Sequence, residues 1–191
     1  EDVVLRLDAN GTWSESEARS ALARLSRHSI ELCEQPVEPG SGSVAALARL
    51  RLTSPIALAA DESCDSLARL EELLAASAVD AVVIKPMQTG LRQALRMIAR
   101  ARSQRLPTIV TTTLDAGIGT ALAVHVAATL APPRPACGLA TLGLLQGDVA
   151  FGEATVEKGG IRVPTSTGLG VQLDPVGLEQ FATGPWAGVE V

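Results

Sequence analysis

A short apolar run recurs along this 191-residue chain at a nearly constant interval, and each of the first four runs ends at a charged residue. The last residues of the first five runs fall near Asp8, Glu34, Asp61, Lys85 and Thr112, at intervals of 26, 27, 24 and 27 residues. Runs this short, several of them bounded by Pro, Gly or Asp, are typical of strands buried on both faces of a parallel sheet. The repeat therefore predicts a parallel sheet built from similar units.

Helical patterns separate these runs. The predicted strands are 3–7, 30–33, 56–60, 81–84 and 108–112, with a weaker sixth at 137–139, and the predicted helices are 14–28, 44–52, 66–77, 90–104 and 118–130. Ser14 is expected to cap the first helix, because Glu17 follows three residues later and completes a capping box. Alternating strands and helices with short links indicate βαβ units in an α/β fold.

The regular period favours a (β/α)8 barrel of the TIM type over a doubly wound sheet. The first strand leads into Asp8-Ala-Asn-Gly-Thr12, which lacks the glycine pattern of a dinucleotide-binding turn. A barrel has eight strands and six are visible, so we expect the C-terminal portion of a barrel, about strands 3–8, with the first strands outside this chain. Residues 1–150 are expected to form this partial barrel, and the glycine-punctuated residues 151–191 an extended C-terminal tail.

Composition excludes several classes of protein. Hydrophobic residues make up 47% and charged residues 19%, which excludes a disordered chain, and a net charge of −5 without Lys/Arg runs excludes a basic nucleic-acid binder. The sequence contains neither a signal-peptide pattern nor 18 consecutive apolar residues, so no membrane association is expected. Three unevenly spaced cysteines cannot all pair within the chain, which indicates a reducing, cytoplasmic location.

Three carboxylates and a lysine at successive strand ends indicate an active site. In a barrel the C-terminal strand ends converge on one face, and converging Asp8, Glu34 and Asp61 would repel one another unless a cation such as Mg²⁺, or alternatively Mn²⁺, neutralised them. The alternative is that these residues are turn formers and N-caps.

Lys85 is one of only two lysines beside 14 arginines, and it is expected at the barrel mouth unless it extends to solvent.

Five segments give the chain a family resemblance over nearly its whole length. They are LRLDANGTW, IELCEQP, IALAADES, VVIKPMQTGL and TTTLDAGIG, in this order and spacing. The set resembles the muconate-lactonizing subgroup of the enolase superfamily, and within it most closely the o-succinylbenzoate synthases of menaquinone biosynthesis. The resemblance implies that Asp8, Glu34 and Asp61 are metal ligands and that Lys85 is the catalytic lysine of the sixth barrel strand.

The same resemblance implies an enzyme acting on a small-molecule carboxylate, with proton abstraction next to the carboxylate as its first step. In the synthases a dehydration follows, which makes them carbon–oxygen lyases. Muconate cycloisomerase and N-acylamino acid racemase activities remain open alternatives, as does a non-catalytic barrel fragment that serves assembly. Dipeptide epimerases carry an Asp-x-Asp on the eighth strand, and the segment 138–142 contains no acid.

Two family features are missing from the sequence. The second-strand Lys-x-Lys pair, to which the family assigns the general base, does not occur, and neither does the N-terminal capping domain. We therefore expect the N-terminal part of the same enzyme as a partner, a tail that packs toward the capping domain, and no activity from these residues alone. Thr113 and the amide of Gly117, at the start of a predicted helix, are candidate substrate-carboxylate contacts, with an ordinary capped turn as the alternative.

Overall fold

Five parallel strands form a curled sheet in the computed structural model of the chain, which describes residues 3–152 and 155–185. The strands are β1 (Leu5–Asp8), β2 (Ile30–Glu34), β3 (Ala57–Ala60), β4 (Ala81–Ile84) and β5 (Thr108–Val110). They lie side by side in chain order, and every neighbouring pair is parallel. Sequential order with parallel pairing is the arrangement of a partial β/α barrel, so the predicted architecture is confirmed.

Each link between these strands contains at least one helix, and a further helix follows β5. The helices are α1 (Glu15–Leu25), α2 (Ser43–Arg51), α3 (Leu67–Ala75), α4 (Pro86–Thr89), α5 (Leu91–Ser103) and α6 (Gly117–Ala128), with single 3₁₀ turns at Ser26–His28, Glu62–Cys64 and Leu142–Leu144. The predicted capping box begins α1, because the Ser14 N–H donates to the Glu17 carboxylate at 2.8 Å and the Glu17 N–H donates to Ser14 Oγ at 3.3 Å. Among these six helices, α4 alone has no counterpart among the predicted helices.

The sixth predicted strand is reduced to a single parallel bridge between Thr111 and Gly138. The Gly138 N–H donates to the Val110 carbonyl at 3.1 Å, and the Thr112 N–H donates to the Gly138 carbonyl at 2.9 Å. Prolines at 132, 133 and 135 precede this point, and each removes a backbone donor that a longer ladder would need. The chain therefore reaches the sixth position of the sheet and leaves it again almost at once.

The residues after the sheet form small elements of their own. The strand β6 (Ala150–Gly152) pairs antiparallel with β9 (Val171–Leu173), and β7 (Val156–Glu157) pairs with β8 (Gly160–Ile161). A helix not anticipated from the sequence, α7 (Pro175–Phe181), follows. Its start has local causes, because Pro175 fits the first helical position and the Asp174 carboxylate accepts the Val176 N–H at 3.0 Å. Two parts of the predicted tail, 153–154 and 186–191, lie outside the described residues.

Across residues 3–152 and 155–185, no helix combines the length and the apolar character needed to cross a bilayer.

The three cysteines, Cys33, Cys64 and Cys137, are all free thiols. Burial raises the pKa of Cys33 and of Cys64 to about 12, so both thiols stay protonated at neutral pH.

The two faces of the sheet have different neighbours. Residues such as Cys33, Leu58 and Val82 point outward and pack in a large core with the helices. The opposite, concave face carries a smaller apolar layer contributed by strands alone: Leu32, Ala59, Ala81, Val83 and Ile109. Because side chains alternate along a strand, the residue two positions beyond each member of this layer lies on the same concave face.

The outer core can be tested with two leucines of different exposure. Leu58 on β3 is fully buried, whereas Leu52 at the end of α2 is 85% exposed. Leu58→Ala is expected to lower the free energy of unfolding by about 2–5 kcal/mol, because it removes buried contacts and leaves a cavity. Leu52→Ala should change it by less than about 0.5 kcal/mol. Urea unfolding followed by circular dichroism measures both, and equal losses would contradict the assignment of the core.

Candidate active site

The polar residues that end the strands share the concave face of the sheet. Glu34, Asp61 and Lys85 each lie two positions beyond a member of the concave apolar layer, at Leu32, Ala59 and Val83. Asp8 joins them because it is the register partner of Glu34 across β1 and β2. The structure thus brings together, at one end of the half-barrel, the four residues that the sequence singled out.

The closest ionic contact in this group joins Lys85 and Asp61. The Lys85 ammonium donates to Asp61 Oδ2, and the two side chains are only 16% and 4% exposed. Burial lowers the pKa of Lys85, but the hydrogen bond and charge of Asp61, together with the charges of Glu62 and Glu34, outweigh burial, so that the pKa of Lys85 is raised overall. Lys85 is therefore an ammonium cation at neutral pH.

Burial and neighbouring carboxylates together disfavour a negative charge on Glu34. Burial raises the pKa of Glu34 to about 8, and the nearby carboxylates of Asp61 and Asp8 contribute in the same direction against the smaller opposing effect of Lys85. A carboxyl group with such a pKa is largely protonated near neutral pH unless more positive charge is supplied. The site therefore has more negative charge than its single ammonium group balances.

The carboxylates of this group have the chemistry of a divalent-cation site but are not arranged as one. As the side chains stand, no three His, Cys, Asp or Glu residues within the described ranges lie in a metal-binding arrangement. Asp61 is bound to Lys85, and Asp8 Oδ1 accepts the Asn10 N–H at 2.9 Å. The donor chemistry does fit, because three carboxylates at adjacent strand ends form the all-oxygen set that Mg²⁺ prefers. Burial, and after it the charges of Asp61 and Asp8, raise the pKa of Glu34, and a cation would relieve this repulsion. The metal site stays a prediction.

Glu62 also lies near this group, since the charges of Asp61, Lys85 and Asp8 all affect its pKa. The backbone leaves the extended conformation at Asp61, where φ is −112° and ψ is −86°, so strand alternation does not continue to Glu62. Burial raises the pKa of Glu62, and its charge contributes to the raised pKa of Lys85. Its Oε2 atom is buried and has no hydrogen-bond partner among the described residues.

The two candidate substrate contacts after β5 already have partners within the protein. The Thr113 hydroxyl donates to Asp115 Oδ1 at 2.7 Å, and the Gly117 N–H donates to Asp148 Oδ1 at 2.8 Å. The start of α6 does bind a carboxylate, as its amides favour, but this carboxylate belongs to Asp148. The role of Thr113 and Gly117 in substrate binding stays a prediction.

Thr111 is a concave-face residue that the sequence analysis did not single out. It continues the β4–β5 register beside Lys85, since Ile84 pairs with Val110. Its Oγ1 atom is buried and has no partner within the described part of the chain. Side-chain alternation from Ile109 predicts that Thr111 points to the concave face, so its orientation could have been predicted from the sequence. It was missed because three threonines stand in a row, Thr111-Thr-Thr113.

A parallel half-barrel with acidic strand ends and an inward lysine defines an enolase-type barrel, and comparison with known proteins agrees. The sequence pattern of the Enolase C-terminal domain-like family matches residues 1–176, and the chain belongs to this family. The relatives it matches are consistent with the muconate-lactonizing subgroup.

Three relatives illustrate the similarity. A chloromuconate cycloisomerase of Pseudomonas putida is 35% identical over 179 residues, which are 93% of this chain and 48% of that protein. An o-succinylbenzoate synthase of Mycobacterium tuberculosis is 35% identical over 183 residues, which are 95% of this chain and 52% of that protein. A crystal structure of a dipeptide epimerase from Cytophaga hutchinsonii, complexed with Mg and the dipeptide D-Ala-L-Val, has a TM-score of 0.85 at 29% identity, over 93% of this chain and 48% of that chain.

The chain spans about half the length of the curated relatives it matches. Its fold matches the C-terminal portion of an enolase-superfamily barrel, as the sequence predicted. The relatives include both isomerases and a synthase at the same identity, so the resemblance defines the family and leaves the reaction to be argued from the site.

The raised pKa of Glu34 predicts how stability depends on pH without metal. Glu34 ionises near its ordinary value of 4.5 when unfolded and near 8 when folded, so the folded state binds the proton more tightly. Its stabilising contribution is therefore complete below about pH 4.5 and is lost as the pH rises to about 8. With a chelator present, the melting temperature should fall across this window, and less steeply in Glu34→Gln. Equal slopes in the two proteins would contradict the shift.

Proposed function

We propose that this chain is the catalytic barrel portion of a metal-dependent o-succinylbenzoate synthase. The observation that supports the proposal is the concave-face group of Asp8, Glu34, Asp61 and Lys85 in a family of enolase-type barrels. The substrate is 2-succinyl-6-hydroxy-2,4-cyclohexadiene-1-carboxylate, an intermediate of menaquinone synthesis in the cytoplasm. The reaction removes the proton beside the carboxylate and expels the neighbouring hydroxyl, so that water leaves and the ring becomes aromatic.

The first step builds negative charge that the site must stabilise. Removing a proton next to a carboxylate places close to two negative charges on the same few atoms. Asp8, Glu34 and Asp61 would hold a divalent ion, Mg²⁺ or Mn²⁺, which supplies positive charge for such an anion when bound. The three carboxylates on their own would repel the substrate, which is itself an anion.

Lys85 has the charge state required to stabilise an anion. Beside Asp61 the pKa of Lys85 is raised, which favours its ammonium form, and the family resemblance assigns proton abstraction to a different lysine. An ammonium group at the barrel mouth attracts the substrate carboxylate and stabilises the charge that develops beside it. The proton is then removed by a base from the other face of the ring, which the family resemblance assigns to a second-strand lysine in the N-terminal part of the enzyme.

A cycloisomerase or racemase is the second candidate, because chloromuconate cycloisomerases match the chain at the same 35% identity as the synthases. Both reactions use the same charge-stabilising site. An epimerase acting on dipeptides is less favoured, because the segment around Gly138 has no carboxylate to hold a substrate ammonium group.

The buried hydroxyl of Thr111 beside Lys85 is a hydrogen-bond donor for a substrate carboxylate.

Asp61→Asn tests the metal assignment in the full-length protein. The variant should fold normally but lose Mg²⁺ binding and turnover, because an amide replaces the most buried of the three carboxylates. Asp65→Asn, which alters an exposed aspartate four residues later, is the matched control and should bind Mg²⁺ like the parent protein. Titration calorimetry measures binding, and full turnover by Asp61→Asn would overturn the assignment.

Lys85→Ala tests the lysine. The variant should lower kcat by at least about 10²-fold, because a positioned catalytic side chain contributes that much or more. The other lysine, Lys158, is exposed in the turn between β7 and β8, and Lys158→Ala should leave kcat unchanged. Steady-state kinetics measures kcat for both variants, and circular dichroism checks that both are folded. Equal kcat values for the two variants would show that Lys85 has no catalytic role.

Substrate choice tests the synthase against its relatives. The full-length enzyme should dehydrate the succinyl-hydroxycyclohexadiene carboxylate with a higher kcat/KM than it cyclises muconates, racemises N-acylamino acids or epimerises dipeptides. The higher value is expected because ring aromatisation favours departure of the hydroxyl once the proton is removed. Ultraviolet absorbance follows the dehydration, and chiral chromatography follows racemisation and epimerisation. A higher kcat/KM on any rival substrate would reassign the reaction.

A further inference from the structure

The residue after Glu34 is a glutamine whose side chain is completely enclosed. Gln35 has no exposed surface. Its Oε1 atom accepts the backbone N–H groups of Asp61 and Ser63, both at 3.1 Å. Its Nε2 group donates to the Val37 carbonyl at 2.7 Å and to Ser63 Oγ at 2.8 Å. All four hydrogen-bonding positions of the amide are therefore used within the protein.

The backbone of Gln35 makes two further contacts with neighbouring strand ends. Its N–H donates to the Ala59 carbonyl of β3 at 2.9 Å, and its carbonyl accepts the Gly11 N–H at 2.7 Å. Gly11 lies in the loop that follows Asp8. One residue therefore contacts the loop after Asp8, directly follows Glu34, and hydrogen-bonds to the backbone of Asp61.

The chemistry at this position requires an amide. Two N–H donors face Oε1, while a carbonyl and a hydroxyl face Nε2, so that an apolar side chain would leave buried polar groups without partners. The backbone φ of Gln35 is +36°, in the left-handed region that non-glycine residues seldom adopt. A residue kept in this conformation is one whose contacts outweigh its conformational cost.

We propose that Gln35 is the positioning residue of the carboxylate site, which fixes Asp61 relative to Glu34 so that the carboxylates can share one divalent cation. This inference rests on the proposed function, because it presupposes that the carboxylates bind a cation. Gln35 itself touches neither the cation nor the substrate. It acts through the backbone of Asp61, as residues that orient ligands from behind commonly do in metal sites.

Gln35→Met tests the proposal because methionine has a similar length and no hydrogen-bonding amide. In the folded full-length variant, the dissociation constant for Mg²⁺, measured by titration calorimetry, should rise about 10- to 100-fold, the usual cost of losing an orienting partner. Ser43→Ala is the matched control, because Ser43 is also buried and hydrogen-bonded, to the Gly40 carbonyl at 2.8 Å, but at the start of α2. It should bind Mg²⁺ like the parent protein even where it lowers the melting temperature.

A second variant serves if Gln35→Met does not fold. Ser63→Ala removes one acceptor of the Gln35 amide and leaves the Asp61 contact in place, and it should weaken Mg²⁺ binding by about 10-fold. Unchanged Mg²⁺ affinity in the folded Gln35 variant, or in Ser63→Ala if that variant alone folds, would overturn the role of Gln35 and leave the proposed function standing. A parent protein that binds no Mg²⁺ would overturn both.

Discussion

The alternation of side chains along parallel strands is the constraint on which the rest of this structure depends. Because side chains alternate along each strand, the residue two positions beyond each concave apolar side chain points to the same concave face of the sheet. Glu34, Asp61 and Lys85 all occupy such positions, and Asp8 pairs in register with Glu34. One geometric rule thus produces both the apolar interior of the half-barrel and the polar group at its mouth.

This arrangement has an electrostatic cost. Three carboxylates share the site with one ammonium group, and the pKa of about 8 for Glu34 reflects its burial first and then the repulsion of the neighbouring carboxylates. A protein selected only for stability would replace such a group with apolar residues, which often stabilise a buried position more than ions do. The excess of negative charge makes sense when the site binds a cation and an anionic substrate together.

The sequence predicted the strands and their functional ends better than the loops. The strand 81–84 was predicted with its observed bounds, and the period of the apolar runs predicted that the four polar ends share one face. The position of Glu62 does not follow from the strand pattern, because strand alternation ends where the backbone turns at Asp61. The partner of Gly117 was not predictable either, since Asp148 reaches it from 31 residues away. Local sequence patterns predict regular secondary structure, whereas the contacts of loop residues depend on the tertiary fold.

If the concave-face carboxylates form one cation site, an ion should be visible between them. An anomalous difference map from crystals of the full-length protein grown with Mn²⁺ tests this. We expect one strong peak bounded by oxygen atoms of Asp8, Glu34 and Asp61, with Lys85 displaced from its bond to Asp61. A map with no peak at this place, in crystals where Lys85 still binds Asp61, would show that these carboxylates do not share a cation.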